Sequence, residues 1–98
     1  MKEYIDRLNK AFDNRVRLGI MSALAANESL DFKRLKELLD LTDGNLASHL
    51  KALEKEKYIS FEKAFVERKP KTTYSMTDSG RVAFEDHINA LESLIKNQ

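Results

Sequence analysis

The feature that most constrains the fold is the spacing of apolar residues over positions 31–53, DFKRLKELLDLTDGNLASHLKAL. Asp31 and Thr42 are of the type that caps helices, because their side-chain oxygens accept hydrogen bonds from free backbone N–H groups. Apolar residues then recur at helical spacing, at Phe32, Leu35, Leu38 and Leu39 and again at Leu46, Leu50 and Leu53. The pattern predicts two short helices joined by a tight turn around Leu41, a helix-turn-helix.

The outward face of the second of these helices has only small or polar side chains. Its members are Asp43, Gly44, Asn45, Ala47, Ser48, His49 and Lys51. A slim, hydrogen-bonding helix fits the major groove of B-DNA, which admits an α-helix and shows a distinct donor and acceptor pattern for each base pair. An ordinary solvated helix face accounts for the same residues equally well, so the choice depends on what lies downstream.

Composition narrows the classes of protein to consider. A length of 98 residues suits one domain with one modest core, so we predict a single domain over residues 1–98. The sequence has no apolar run near 18 residues, and its first residues mix acids and bases, so we expect a cytoplasmic protein without membrane contact. The absence of cysteine excludes disulfides and thiolate metal sites.

Charge is distributed unevenly although its sum is only +1. Residues 62–73 contain four bases and two acids, whereas residues 77–98 contain two bases and four acids. A molecule with a basic edge and an acidic far side can orient on a polyanion despite its near-neutral total.

The segments before the helix-turn-helix predict two more helices. Residues 2–12 have an apolar stripe at helical spacing, and its members are Tyr4, Ile5, Leu8 and Phe12. Asp13 is the expected N-cap of a helix that runs to about Ala26. Ser29 and Leu30 suggest a brief extended segment before Asp31.

The segments after it predict a hairpin and a last helix. Residues 58–66 are rich in aromatic and β-branched types and favour a strand, and residues 72–77 favour a second strand, with Thr72, Tyr74 and Met76 on one face. The loop between them, residues 67–71, is basic. Thr77 is the expected cap of a helix over about 78–96.

Three segments carry a resemblance to a known family: NRVRLGIMSAL at 14–24, LTDGNLASHLKALEKEKYI at 41–59 and KPKTTYSMTDSGR at 69–81. The chain resembles winged helix-turn-helix transcriptional regulators of the MarR-like and ArsR-like kind, above all their compact winged helix DNA-binding domain group. This resemblance implies a mainly α fold with a small β-hairpin (α+β). It places the helix-turn-helix at about 31–55, the hairpin at about 58–77 and the last helix at about 78–96, and it implies terminal helices that dimerise.

The resemblance also implies a recognition helix from Thr42 to Lys55 and a wing at residues 66–72. The implied DNA-binding residues are Thr42, Asp43, Asn45, Ser48, His49, Lys51, Lys63, Arg68, Lys69, Lys71 and Thr73. The implied dimer-interface residues are Ile5, Leu8, Phe12, Phe84, Ile88, Leu91 and Ile95. Asp43 and Ser48 stand where many relatives have glutamine or arginine, which implies base readout that is either weak or dependent on DNA shape.

The hypothesis is therefore a homodimeric transcriptional regulator that binds double-stranded DNA. The alternatives are a winged-helix module that binds another protein through the same surface, and a ligand-gated sensor. No phosphate-binding glycine loop, nucleophile elbow or Ser-His-acid set occurs, so we expect no enzyme and no cofactor. His87 is expected to lie on the surface or at the dimer contact, and a His and acid metal site with Asp86 is a minor alternative.

Overall fold

The computed structural model describes residues 1–97 of the chain. Five α-helices and three strands follow one another, with a 3₁₀ turn at Lys10–Phe12 after the first helix. In chain order they are α1 Lys2–Arg7, α2 Arg15–Ala26, β1 Leu30–Asp31, α3 Phe32–Leu39, α4 Asp43–Lys55, β2 Ile59–Val66, β3 Lys69–Met76 and α5 Asp78–Lys96. The strands form one antiparallel sheet in the order β1-β3-β2, so the α+β prediction is confirmed.

One leucine of α3 and three leucines of α4 form the centre of the core, whereas Leu38, which the spacing placed on the apolar face of α3, is 45% exposed. Leu35, Leu46, Leu50 and Leu53 are all fully buried and pack with α2 residues such as Ile20. Full burial of one such side chain stabilises the fold by roughly 1.5–3 kcal/mol. The helical period therefore correctly predicts which side of α4 faces inward.

Three of the four predicted caps are confirmed. The backbone N–H of Arg34 donates to Asp31 at 2.7 Å, that of Asn45 donates to Thr42 at 3.2 Å, and that of Gly80 donates to Thr77 at 2.9 Å. The brief strand expected around Leu30 is also present.

The cap of α2 is Asn14, and the prediction of Asp13 is wrong. The Asn14 side chain accepts hydrogen bonds from the N–H groups of Val16 and Arg17, at 2.9 and 3.1 Å. Asp13 ends the preceding 3₁₀ turn, whereas Asn14 has the extended backbone, with φ −164° and ψ 127°, that an N-cap needs.

The predicted helix over residues 2–12 is broken in two. α1 ends at Arg7, and Asn9 caps the 3₁₀ turn by accepting a hydrogen bond from the N–H of Ala11 at 2.9 Å. Asparagine side chains compete with the helical hydrogen-bond ladder in this way, which explains the break.

The break brings Phe12 into the core of its own chain. Phe12 is 2% exposed, and its ring centroid lies 5.3 Å from those of Tyr58 and His87 and 5.7 Å from that of Phe84. His87 is 6% exposed. The predictions of Phe12 as a subunit contact and of His87 as a surface or dimer residue are therefore wrong, because the two rings pack on each other inside the fold.

The hairpin has a shorter connection than predicted. Val66 pairs with Lys69, so the turn consists only of Glu67 and Arg68. Both have positive φ, 53° and 66°, as a type I′ turn requires, and the twist of this turn matches that of its strands. Lys69, which the sequence places in the loop, thus belongs to β3.

The base of the hairpin is joined closely to the start of α5. The carbonyl of Lys57 accepts hydrogen bonds from the hydroxyls of Thr77 and Ser79, at 2.7 and 2.9 Å, and the N–H of Thr77 donates to the carbonyl of Tyr58 at 3.0 Å. Gly80 lies so near Tyr58 that a Cβ atom would overlap its backbone carbonyl. This corner fixes where α5 leaves the sheet.

Candidate nucleic-acid interface

The outward side of α4 is open to solvent. The buried leucines hold one side of the helix against the core, while Asn45, Ser48 and Lys51 are exposed and His49 is half-buried. The predicted recognition surface is therefore available to a partner, and His49 is less exposed than the other candidate residues.

A cation from α3 compensates the acidic start of α4. The ammonium of Lys36 lies 2.9 Å from a carboxylate oxygen of Asp43. Both side chains are well exposed, so the pair stabilises the fold by less than about 1 kcal/mol. Its main consequence is local, because the negative charge of Asp43 does not stand alone on the face that would meet a polyanion.

Gly44 occupies the second residue of α4 without a steric reason within the described chain. A Cβ atom built there meets nothing within 4 Å, and the residue is exposed. Glycine weakens a helix by roughly 0.5–1 kcal/mol relative to alanine, so its presence suits close approach of another molecule to the helix backbone.

A groove lies between α4 and the hairpin. Its lining includes Ser48, Lys51, Lys55 and one acid, Glu54, of α4, and Phe61 of β2. The ammonium of Lys63 stands 5.7 Å from the ring centroid of Phe61, so a third cation joins the same rim. The structure thus places Lys63 beside the same groove as the exposed residues of α4.

The other hairpin cations are divided between the tip and the opposite face. Residues directly across an antiparallel pair share a face, and faces alternate along a strand. Lys63 pairs with Thr72 on the face of Phe61, whereas Lys69 and Lys71 pair with Val66 and Ala64 on the other face. The single basic edge expected from the sequence is therefore spread over both faces of the hairpin.

Lys71 contacts the protein itself. Its ammonium lies 3.4 Å from Oδ2 of Asp31, the residue that caps α3. The hydrogen bond from the N–H of Arg34, followed by Lys71, holds the pKa of Asp31 below its ordinary value, so this carboxylate is charged at neutral pH. Thr73 pairs with Asp31 in the sheet and shares this face.

The surface predicted for dimerisation lies on α1 and α5, which pack against each other within the chain. Ile5, Ile88 and Ile95 are exposed, and Ile95 is 75% exposed. Leu8, Phe84 and Leu91 are half-buried. Ile5, Leu8 and Leu91 also line an open cleft of about 640 Å³ that reaches His87. The sequence does not reveal this cleft, because it forms only where the helix breaks at Leu8.

Within residues 1–97, no group of three or more His, Cys, Asp or Glu side chains is placed to hold a metal ion. Over the same residues, no helix is both long and apolar enough to cross a membrane.

Comparisons with known proteins agree with this geometry. Residues 16–95 match the family described as a winged helix DNA-binding domain. An uncharacterized protein of Methanocaldococcus jannaschii is 41% identical over 88 residues, which make up 90% of this chain and 96% of that protein.

Two solved structures show the same architecture. A transcriptional regulator homologue from Pyrococcus horikoshii OT3 has a TM-score of 0.89 at 32% identity, over 99% of this chain and 97% of that chain. Bacillus subtilis PadR, solved in complex with operator DNA, has a TM-score of 0.68 at 20% identity, over 76% of this chain and 47% of that chain. The PadR likeness concerns the fold alone.

Proposed function

Because the chain belongs to the winged helix DNA-binding domain family, we propose that it is a transcriptional regulator that binds double-stranded DNA as a homodimer. The observation that carries this proposal is the open polar side of α4, which shares a groove with the cationic, aromatic face of the hairpin. The family is one of DNA-binding domains and not of enzymes.

In this proposal α4 lies in the major groove. The N-cap Thr42 and the helix residues Asp43, Asn45, Ser48 and Lys51 face the base edges and adjacent phosphates, because all five are exposed and polar. His49, which is half-buried, supports the helix and reaches at most the DNA backbone. The short polar side chains favour shape and water-mediated readout over long bidentate contacts.

The hairpin contributes phosphate contacts. Lys63 lies on the rim of the groove, and Arg68 and Lys69 lie at the tip, where a duplex lying across α4 would pass. Lys71 positions the hairpin through Asp31, and Thr73 lies beside it. We therefore assign the direct contacts to Lys63, Arg68 and Lys69.

The homodimer would form through the exposed apolar surface of α1 and α5. Ile5, Ile88 and Ile95 provide it, with the half-buried Leu8, Phe84 and Leu91 beside them. A two-fold axis there would direct the two α4 helices to half-sites about one helical turn, or ~34 Å, apart.

The test is binding of a labelled mixed-sequence duplex, followed by fluorescence anisotropy from low salt to 200 mM. If the protein binds DNA, the logarithm of the association constant should fall against the logarithm of the salt concentration with a slope of about −0.9 for each phosphate neutralised. Selection of bound sequences from random DNA then supplies the operator. A duplex that stays unbound at low salt contradicts the proposal.

The second candidate is a winged-helix module for another protein, and the net charge of only +1 favours it. Binding to a protein would not show the steep salt dependence that comes from neutralising several phosphates. A correctly folded chain whose binding lacks this salt dependence would support this candidate.

A further inference from the structure

Phe65 is an exposed aromatic side chain near the tip of the hairpin. It is 78% exposed and lies one residue pair before the turn. Its cross-strand partner is Pro70, so two apolar rings stand side by side on one face. β2 is an edge strand, where exposed apolar side chains promote unwanted association and are usually avoided. The position of Phe65 therefore indicates a contact outside the chain.

The ring projects from the side of the molecule that contains the groove. Phe61 and Phe65 are separated by four residues of one strand and so share a face. Phe61 lines the groove with Ser48 and Lys51 of α4. Phe65 lies about 13 Å farther along the strand, from four steps of ~3.3 Å.

The charges around Phe65 fit a duplex. Lys63 lies two residues away on the same face, and Arg68 lies in the turn next to the acid Glu67. Lys69 lies beside the turn on the opposite face of the hairpin. An apolar ring between cations matches a nucleic-acid groove, where stacked bases lie between two rows of phosphates. A protein partner for an apolar edge would need no such cations.

We propose that Phe65, with Pro70 beside it, is a wedge that enters the minor groove next to the major groove occupied by α4. This inference rests on the proposed function. Adjacent groove centres are half a helical turn apart, roughly 17 Å along the axis. Phe65 stands about 13 Å beyond Phe61, which itself borders α4, so the hairpin extends in the range that this spacing requires. Apolar wedges of this kind partly unstack a base step and bend the duplex. The preferred step is a flexible pyrimidine–purine step, TA or CA/TG, because it kinks most easily.

The experiment uses the full chain and a duplex of about 30 base pairs, roughly three helical turns, recovered from random DNA by selection with the wild-type protein. Energy transfer between dyes at the two ends reports bending, and 2-aminopurine placed at the pyrimidine–purine step reports unstacking. The variants are Phe65→Ala and Phe65→Leu. Val82→Ala is the matched control, because Val82 is an exposed apolar residue on α5.

Phe65→Ala should bind about tenfold more weakly, or ~1.4 kcal/mol, and should lose both the bend and the 2-aminopurine signal. Its salt slope should not change, because no charge is removed. Phe65→Leu should keep most of both signals, since leucine also serves as a wedge, and Val82→Ala should behave as the wild type.

Three results would overturn the wedge. If Phe65→Ala binds and bends DNA as the wild type does, the wedge is wrong and the regulator stands. If the variant bends DNA normally but loses self-association in sedimentation, Phe65 belongs to a contact between copies along β2. If the wild-type protein does not bind DNA at all, the proposed function fails, and the wedge fails with it.

Discussion

The backbone N–H of Asn9 donates a hydrogen bond to Nδ1 of His87, 3.0 Å away, and so ties the end of the α1 segment to the middle of α5. The acceptor nitrogen must be unprotonated. Burial lowers the pKa of His87, and the nearby Asp13 opposes this shift only in part.

This relationship predicts stability that falls with acidification. The unfolded chain binds a proton at His87 near its ordinary pKa of about 6.5, whereas the folded chain binds it only at lower pH. The unfolded state therefore holds more protons in that interval, so the free energy of unfolding rises with pH there and levels off above about 6.5. Urea denaturation at a series of pH values should show this decline as pH falls below 6.5.

His87→Gln supplies the comparison for that series, because glutamine does not titrate. We expect it to be less stable at pH 7 but to show a smaller decline on acidification. His49→Gln should keep the full decline, since His49 lies outside this contact. Equal pH dependence in His87→Gln and wild type would contradict the assignment.

Gly80→Ala should destabilise the fold by roughly 1–3 kcal/mol, because the Cβ of the alanine would overlap the carbonyl of Tyr58. The hairpin would then have to move away from the start of α5. Gly44→Ala is the matched substitution at an open helix position and should raise stability by about 0.5–1 kcal/mol. Thermal unfolding followed by circular dichroism measures both. A Gly80→Ala protein as stable as the wild type would contradict the close approach.

The hairpin cations should differ in their effect on DNA binding. Lys69→Gln should weaken binding to all sequences and reduce the magnitude of the salt slope by about 0.9, because it removes one phosphate contact. Lys71→Gln should change the slope much less, since Lys71 pairs with Asp31. Anisotropy titrations at four salt concentrations measure the slopes. A larger change for Lys71→Gln than for Lys69→Gln would reverse our assignment of the two lysines.

Ile95→Glu should convert the proposed dimer to a monomer, because it places a charge in an apolar contact surface. The side chain is 75% exposed within one chain, so the monomer itself should stay folded. Val82→Glu, at another exposed position of α5, should leave the dimer intact. Sedimentation velocity at tens of micromolar protein distinguishes the two, and a wild-type monomer at that concentration would remove the interface.

The sequence predicts those parts of the fold that depend on local chemistry. Asp31, Thr42 and Thr77 are found as caps because a cap needs only its own side chain and the next turn of helix. The buried side of α4 follows from the spacing of its leucines. The resemblance to winged helix regulators is confirmed by the family match.

The errors have local and tertiary causes. The helix break at Leu8 depends both on Asn9, whose side chain caps the following 3₁₀ turn, and on His87, which accepts a hydrogen bond from the N–H of Asn9 although it is 78 residues away in sequence. His87 also packs against the buried ring of Phe12, which is distant from it in sequence. The prediction of one basic edge is wrong because the register of β2 against β3 fixes the face on which each lysine lies. That register depends on a turn of two non-glycine residues with positive φ.

The corner at Lys57 and Tyr58 has a mechanical consequence. α4 ends two residues before this corner, and β2 begins directly after it. Thr77, the N-cap of α5, donates hydrogen bonds to the carbonyls of both corner residues. The 19 residues of α5 give this helix a length of about 28 Å. A rotation of α5 by about one degree at the corner would move its C-terminal end by about 0.5 Å, given the helix rise per residue. The separation of the two α4 helices in the proposed dimer would thus depend on the three hydrogen bonds at this corner together with the contact between Asn9 and His87 farther along α5.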